Sequence, residues 1–166
     1  TTSKRPLEAP VISTISNTID DAKISIRRVP ERQGIEAAIF SPLAAAGISV
    51  DTIVKNVGRD GFSEIAFTIG KAHLKRAVQL SENVAKKVGA GEVEVSCDLA
   101  KVSIVGVGMR SHIGVPAKIF DVISRNNIKI HIISSSEIKT SIVIDMKDME
   151  KAVKVLHEAF EPGTQQ

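Results

Sequence analysis

The second half of this chain repeats the first, and this duplication limits the fold more than any other feature. Residues 22–56 align with residues 100–136 once two extra residues are allowed near position 111. The matched positions mix polar, glycine and apolar residues: Lys23/Lys101, Ser25/Ser103, Val29/Val107, Arg32/Arg110, Gly34/Gly114, Phe40/Phe120, Ile48/Ile128 and Ile53/Ile133. The period is too long and the copy number too low for a solenoid. We therefore expect two similar modules, with a pocket where copies meet.

The first copy predicts the element order β-α-β-β-α-β. Alternating residues predict the strands, and a 3.6-residue apolar period with Gly47 and Gly89 at the ends predicts the helices. The predicted strands are 22–29, 48–57, 62–69 and 91–99, and the predicted helices are 35–47 and 73–89. The first helix should bury Ile35, Ile39, Phe40 and Leu43, although Pro42 conflicts with a regular helix. This order is typical of a ferredoxin-like sandwich with an antiparallel sheet.

The second copy lacks its fourth strand, whereas an additional strand, residues 11–18, precedes the first copy. The simplest interpretation places this strand in the second module's sheet. The sequence thus predicts an α+β fold of two βαββαβ domains, the first inserted in the second. The expected domains are residues 20–98 and residues 11–19 plus 99–161, with linkers or tails at 1–10 and 162–166.

Composition argues against several classes of function. The net charge is only +3 and there is no Trp or Tyr, so a basic surface with stacking aromatic residues, as in nucleic-acid binders, is not expected. No apolar run approaches the roughly 20 residues of a membrane helix. The single Cys97 indicates a reducing, cytoplasmic setting, and it is expected to pack in a strand. The four histidines lack metal-site spacing, and no catalytic constellation is evident.

The loops that join the first strand of each copy to its helix carry the most polar residues. They are Pro30–Gly34 and Gly108–Gly114, and each precedes a helix N-terminus, which favours carboxylates and phosphates. The alternative is that they are solvated turns. The run GVGMRS begins like a dinucleotide fingerprint, but Ser111 replaces its last glycine. Asn56, which ends the second strand, corresponds to Ser136 in the second copy.

Two segments carry a family resemblance. The first, KVSIVGVGMRSHIGVPAKIF with ISSSEIKTSIVID and LHEAF, resembles the second ACT module of an aspartokinase, and VPERQGIEAAIFSPLAAAGISVDTIVKNV with DGFSEIAFT resembles the first. No segment resembles the family's catalytic region. The resemblance implies a regulatory region or beta subunit that catalyses nothing itself and needs no cofactor. Its partners would be a second copy in a homodimer, an aspartokinase catalytic domain or alpha subunit, and lysine or threonine as feedback inhibitors.

The resemblance also implies which residues bind the effector. In the first module these are Glu31, Arg32, Gln33, Gly34, Ile35, Glu36, Asn56 and Val57. In the second module they are Ser111, His112, Ile113, Gly114, Val115, Ser134, Ser135, Ser136 and Glu137. Glu31 would accept the ammonium group of an amino acid, and amides at the helix N-terminus would hold its carboxylate.

Three positions depart from the family pattern. Glu31 stands where Asp is usual, and Gln33 and Ile113 stand where Pro is usual. These departures leave open a dimerisation module whose pockets bind nothing. A further alternative is an acylphosphatase-like hydrolase, for which Arg32 and Asn56 are the only candidates.

Overall fold

The computed structural model describes residues 11–107 and 114–160, apart from the side chains of residues 11–13 and 107. Six strands and four helices lie in these residues. In chain order they are β1 Val11–Pro30, α1 Ile35–Ala45, β2 Ile53–Val57, β3 Phe62–Gly70, α2 Leu74–Val88, β4 Val93–Val107, α3 Val115–Arg125, β5 Ile130–Ser135, β6 Lys139–Asp145 and α4 Met149–Phe160. Short 3₁₀ turns at Lys71–His73 and Met146–Asp148 precede α2 and α4.

The described chain divides into two compact units. Asp20–Leu99 forms one, here called the first module. Residues up to Ile19 group with those from Ala100 onwards in the second module, and Ile15 packs against that module's core. The predicted fold class, two βαββαβ domains with the first inserted in the second, is thereby confirmed.

The first module has the strand order β2-β3-β1-β4. Strand β3 pairs antiparallel with both β1 and β2. Helices α1 and α2 cover one face. As the apolar period predicts, α1 buries Ile35, Ile39 and Leu43 against the sheet, whereas Phe40, which was also predicted to be buried, is only partly so. The ring of Phe40 meets Phe67 edge to face, with the centroids 5.3 Å apart.

Helix α1 runs through Pro42 to Ala45. Pro42 has no N–H to donate to the carbonyl of Ala38, but the buried face continues past it to Leu43. The helix ends in a Schellman motif, in which Gly47 (φ 74°) donates to the Ala44 carbonyl and Ile48 donates to that of Leu43. Gly89 ends α2 in the same left-handed conformation, with φ 75°.

The second module has the strand order β1-β4-β6-β5. Helices α3 and α4 bury Val115, Ile119, Ile123 and Leu156 in its own core. Between β4 and β6 a buried pair of hydroxyls, Ser103 Oγ and Ser141 Oγ, lies 2.7 Å apart. Helix α3 ends as α1 does, with Asn127 (φ 56°) in the place of Gly47.

The strand boundaries near residues 20 and 98 were predicted wrongly. Residues 11–18 and 22–29 are parts of the single strand β1, and residues 91–99 and 100–107 contribute to the single strand β4. Asp20 (φ 61°) and Asp98 (φ 57°) take the left-handed conformation at these points, which aspartate tolerates better than most residues. Each strand therefore continues through one residue with a left-handed backbone.

The expectation that Cys97 packs inside a strand is also wrong. Its thiol is free and the residue is exposed. Cys97 lies on β4, but its side chain is not among the buried residues of the first-module core.

Candidate functional site at the strand-to-helix junctions

The first-module junction is the loop between β1 and α1 together with the end of β2 that faces it. The loop is fixed to the β2–β3 hairpin, because the Glu31 N–H donates to the Gly61 carbonyl at 2.9 Å. Gly34 (φ 83°) turns the chain into α1 in a conformation that favours glycine. The Ile35 N–H donates back to the Arg32 carbonyl at 3.2 Å. The loop is thus a defined turn, and its Glu31 side chain reaches β2 and β3.

Lys55 on β2 joins two of the predicted effector residues. Its Nζ lies 2.6 Å from Glu31 Oε1 and 2.5 Å from Glu36 Oε1. The buried Ser63 on β3 donates its hydroxyl to the same Glu31 oxygen at 2.6 Å. One ammonium, one hydroxyl and two carboxylates therefore form a connected network, here called the Lys55 cluster.

All three charged groups of the Lys55 cluster are held in their ionised forms. The hydrogen bond from Lys55, followed by that from Ser63, lowers the pKa of Glu31 below its ordinary value of 4.5. Hydrogen bonds from Lys55 and from its own backbone N–H lower the pKa of Glu36. The two carboxylates raise the pKa of Lys55 above its ordinary value of 10.5. The cluster carries a net charge of −1 at neutral pH, because two carboxylates share one ammonium.

Neighbouring residues of β2 point to opposite faces of the sheet. Lys55 is paired with Ile65 and lies on the face that the helices cover, whereas Asn56 is paired with Glu64 and lies on the other face. Sequence analysis did not identify Lys55. Its only sequence signal is a cation within the predicted strand 48–57, and the loop carboxylates that it reaches depend on a strand register that the sequence does not give.

Asn56 lines an open pocket of about 330 Å³ in the first module. The pocket is also lined by Arg27, Arg28, Val57, Gly58, Asp60, Phe62, Ser63 and Glu64. Its cations have carboxylate neighbours, since Arg27 lies 2.9 Å from Glu94 and Arg28 lies 3.7 Å from Asp60. Arg32 is not among the lining residues, so this pocket does not unite the two candidates of the hydrolase alternative.

The other predicted residues of the first module divide between core and surface. Ile35 is buried in the core, so only its backbone faces the junction. Arg32, Gln33 and Gly34 are exposed in the loop. Val57, at the end of β2, is an exposed apolar side chain.

The second-module junction is described in part, because Ser111, His112 and Ile113 lie outside the described residues. Gly114 precedes α3, and Val115 is buried in the second core. At the end of β5, Ser134 is exposed, and the Ser135 hydroxyl lies 2.8 Å from that of Thr140. The Ser136 N–H donates to the Lys139 carbonyl at 2.7 Å, which closes the β5–β6 hairpin, and Glu137 lies exposed in its turn.

The two junctions differ at equivalent positions. Asn56 corresponds to Ser136, so Lys55 corresponds to Ser135. Each of these two residues is paired with a residue of the strand that follows in the chain: Lys55 lies opposite Ile65 on β3, and Ser135 lies opposite Thr140 on β6. Because Ile35 corresponds to Val115, the place of Glu36 is taken by Pro116. A hydroxyl and a proline thus occupy the positions that carry an ammonium and a carboxylate in the first module.

Over residues 11–107 and 114–160, no three His, Cys, Asp or Glu side chains lie close enough together to hold an ion. No helix within the same residues has the length and apolar character needed to span a membrane.

Comparison with known proteins identifies the family. Residues 102–160 match the ACT domain model. An aspartate kinase of Stutzerimonas stutzeri is 44% identical over 155 residues, which cover 93% of this chain and 38% of that protein. This chain therefore spans less than half the length of such relatives.

Two solved structures are similar over almost their whole length. The crystal structure of aspartokinase alpha and beta subunits contains a chain that is 38% identical, with a TM-score of 0.84, covering 90% of this chain and 99% of that one. The ligand-free regulatory subunit of the aspartate kinase from Thermus thermophilus is 35% identical, with a TM-score of 0.83 and the same coverage. This chain belongs to the aspartokinase family, of which it represents the regulatory region with tandem ACT domains.

Proposed function

We propose that this chain senses an end-product amino acid, lysine or threonine, and inhibits the phosphorylation of aspartate by a catalytic domain or alpha subunit with which it associates. One observation carries the proposal beyond family membership. In the first module the end of β2 reaches the first turn of α1, the helix that precedes it in the chain, since Lys55 Nζ lies 2.5 Å from Glu36 Oε1. From the duplication we infer the same relation between the end of β5 and the first turn of α3.

The chemistry of the second-module junction suits a zwitterion. The N-terminus of α3 carries partial positive charge and favours a carboxylate. Hydroxyl oxygens from Ser134 to Ser136 and the strand carbonyls beside them can accept hydrogen bonds from an ammonium group. Threonine would add a hydroxyl that these serines can bind. Lysine would need a carboxylate at the tip of its side chain, for which Glu137 is the candidate.

The end strands support a homodimer. Both β2 and β5 are paired with a neighbour on one side only. Each also exposes an apolar residue at an equivalent position, Ile53 at 53% and Ile133 at 47%. An exposed strand edge with apolar side chains favours pairing with another chain. We therefore propose side-by-side association of two copies, and a cytoplasmic location in which Cys97 stays reduced.

The ligand must bind one arrangement of the dimer more tightly than another, because equal affinity for both would change nothing. Coupling between sites is typically about 1–3 kcal/mol, or roughly 5–150-fold in apparent affinity. Isothermal titration calorimetry with lysine and with threonine tests the binding step directly. If both amino acids at millimolar concentrations give no binding heat and no rise in melting temperature, the proposal is overturned and a dimerisation module with silent pockets is left.

Two substitutions locate the site. Ser135→Phe would fill the second-module junction and is expected to abolish binding there, whereas Gln33→Ala tests the first-module loop. Val95→Phe places the same ring at an exposed position on β4 and serves as the control for added surface bulk. If Ser135→Phe and Val95→Phe change the amino-acid response equally, the second-module junction is not the site.

A further inference from the structure

The first-module junction already contains an ammonium group, which belongs to the chain itself. We propose that Lys55 occupies the position that the ammonium of a free amino acid would take, so that the first module is closed to such ligands and sensing falls to the second module. This inference rests on the proposed function, because it concerns which of the two junctions serves it.

The first step of the argument is the geometry of the Lys55 cluster. Glu31 is the residue expected to accept a ligand's ammonium, yet its Oε1 already receives the Lys55 ammonium and the Ser63 hydroxyl, both at 2.6 Å. Glu36 is the only other carboxylate in the predicted effector set of this module, and it contacts the same Nζ. A free amino acid would have to displace Lys55 before it could use either carboxylate.

The second step is the competition between the two ammonium groups. Lys55 is tethered on β2 beside its partners and retains only 25% of its side-chain exposure. A tethered group acts at an effective concentration of roughly millimolar or more. Metabolites at comparable concentrations would therefore compete at a disadvantage, because they also lose translational and rotational freedom on binding.

The third step concerns the ligand's carboxylate. The free amides of a helix N-terminus make it an anion site. Here the Ile35 N–H donates to the Arg32 carbonyl at 3.2 Å. One of the three amides expected to hold the carboxylate, those of residues 34–36, thus already has a partner within the chain.

The fourth step is the comparison within the molecule. At the positions of Lys55 and Glu36 the second module has Ser135 and Pro116, which can form no ion pair. The Ser135 hydroxyl is bonded to Thr140 and is small enough to leave room beside it. Because the two modules share one fold, the two junctions differ in the side chains that occupy them: an ion pair in the first module, and a serine and a proline in the second.

The test uses Lys55→Ser, which gives the first module the residue that the second module has at that position. The 166-residue chain is titrated with L-lysine and with L-threonine by calorimetry, and amide chemical shifts of Gly34 and Ser63 report on the first junction. Lys55→Ser is expected to add a binding event that shifts both amides, with an affinity at least about tenfold above that of the wild-type junction. Glu31→Gln in the Lys55→Ser background should remove it.

Two controls make the outcome specific. Lys71→Ser removes another exposed ion pair of the same module, in which Lys71 Nζ lies 2.7 Å from Asp98 Oδ1, and should leave binding as in the wild type. Far-ultraviolet circular dichroism confirms that each variant is folded.

Two results would overturn the inference. One is that Lys55→Ser gains no binding that depends on Glu31. The other is that Glu31→Gln alone weakens wild-type amino-acid binding tenfold or more, which would mean that a ligand already uses this carboxylate. A wild-type chain that binds neither amino acid refutes the proposed function instead, and the Lys55→Ser comparison still decides the role of Lys55.

Discussion

The buried hydroxyl pair between β4 and β6 allows a quantitative test of how the second module is held together. Ser103 and Ser141 are 3% and 7% exposed, and their oxygens lie 2.7 Å apart. Removing one hydroxyl leaves the other buried without its partner, which costs about 1–3 kcal/mol. Removing both replaces the pair by two methyl groups and leaves neither hydroxyl orphaned. Ser103→Ala and Ser141→Ala should each lower the free energy of unfolding by that amount, and the double variant should lose less than either single variant.

The measurement is urea unfolding followed by far-ultraviolet circular dichroism, because the chain has no Trp or Tyr to serve as a fluorescent probe. The matched control is Ser25→Ala in the first module. Ser25 is equally buried, but its partner on β3 is Ala66, so no hydroxyl on that strand is orphaned. If the single losses simply add in the double variant, the two hydroxyls do not stabilise each other and the reasoning fails.

Three further predictions concern the first module. Phe67→Ala should lower the free energy of unfolding by about 3–5 kcal/mol, since the ring is fully buried and contacts Phe40, and urea unfolding measures the loss. Gly47→Ala should lower the free energy of unfolding by about 1–2 kcal/mol in the same assay, because alanine is strained at φ 74°. An added Cβ would meet no atom within 4 Å, so this backbone strain is the whole of the expected loss. The stabilisation that Lys55 gives, measured as wild type minus Lys55→Ser, should be largest between pH 4.5 and 10.5 and should vanish as Glu31 is protonated below that range.

Each of these predictions has its own control. Phe40→Ala should cost less than Phe67→Ala, because Phe40 is only partly buried. Asn127→Gly, at the position equivalent to Gly47, should be neutral or stabilising, because φ 56° suits glycine better than asparagine. The pH argument follows from the signs of the shifts. A carboxyl group whose pKa is lowered in the folded state stabilises the fold at pH values above its ordinary pKa, and an ammonium group whose pKa is raised stabilises it at pH values below its ordinary pKa. A stability difference between wild type and Lys55→Ser that grows at pH 3 would therefore contradict this prediction.

Local features of this fold could be predicted from the sequence because each depends on a few neighbouring residues. The apolar period of α1 gave its buried face, and Gly47 and Gly89 marked where two helices end. The strand count predicted the insertion of one module in the other, since a missing strand must be supplied from elsewhere in the chain. The continuation of β1 through Asp20 and of β4 through Asp98 could not be predicted, because aspartate is common where strands end in turns and only the backbone shows that these strands continue.

The site was predicted less well than the fold, for a reason that Lys55 illustrates. Resemblance selected Glu31 and Glu36 as ligand contacts, and the structure brings both together. Their partner, Lys55, is 19 residues from Glu36 in the sequence and lies on β2. The direction of its side chain depends on the pairing of Lys55 with Ile65. Shifting β2 by one residue would send this ammonium to the opposite face. The contacts of a charged strand residue therefore follow from register, which a single sequence does not fix.

A tethered ammonium and a dissolved one differ in what they can communicate. A ligand shifts an equilibrium through its concentration and its preference for one state, whereas Lys55 is present at constant effective concentration in every state of the chain. It can stabilise the first module and hold Glu31 and Glu36 in place, but it cannot report on a metabolite. If Lys55 fills this junction and the chain senses an amino acid as proposed, the ligand must bind where the same scaffold carries Ser135. In Lys55→Ser a free amino acid would take the place of the tethered ammonium, and the stability of the first module would then rise with the concentration of that amino acid.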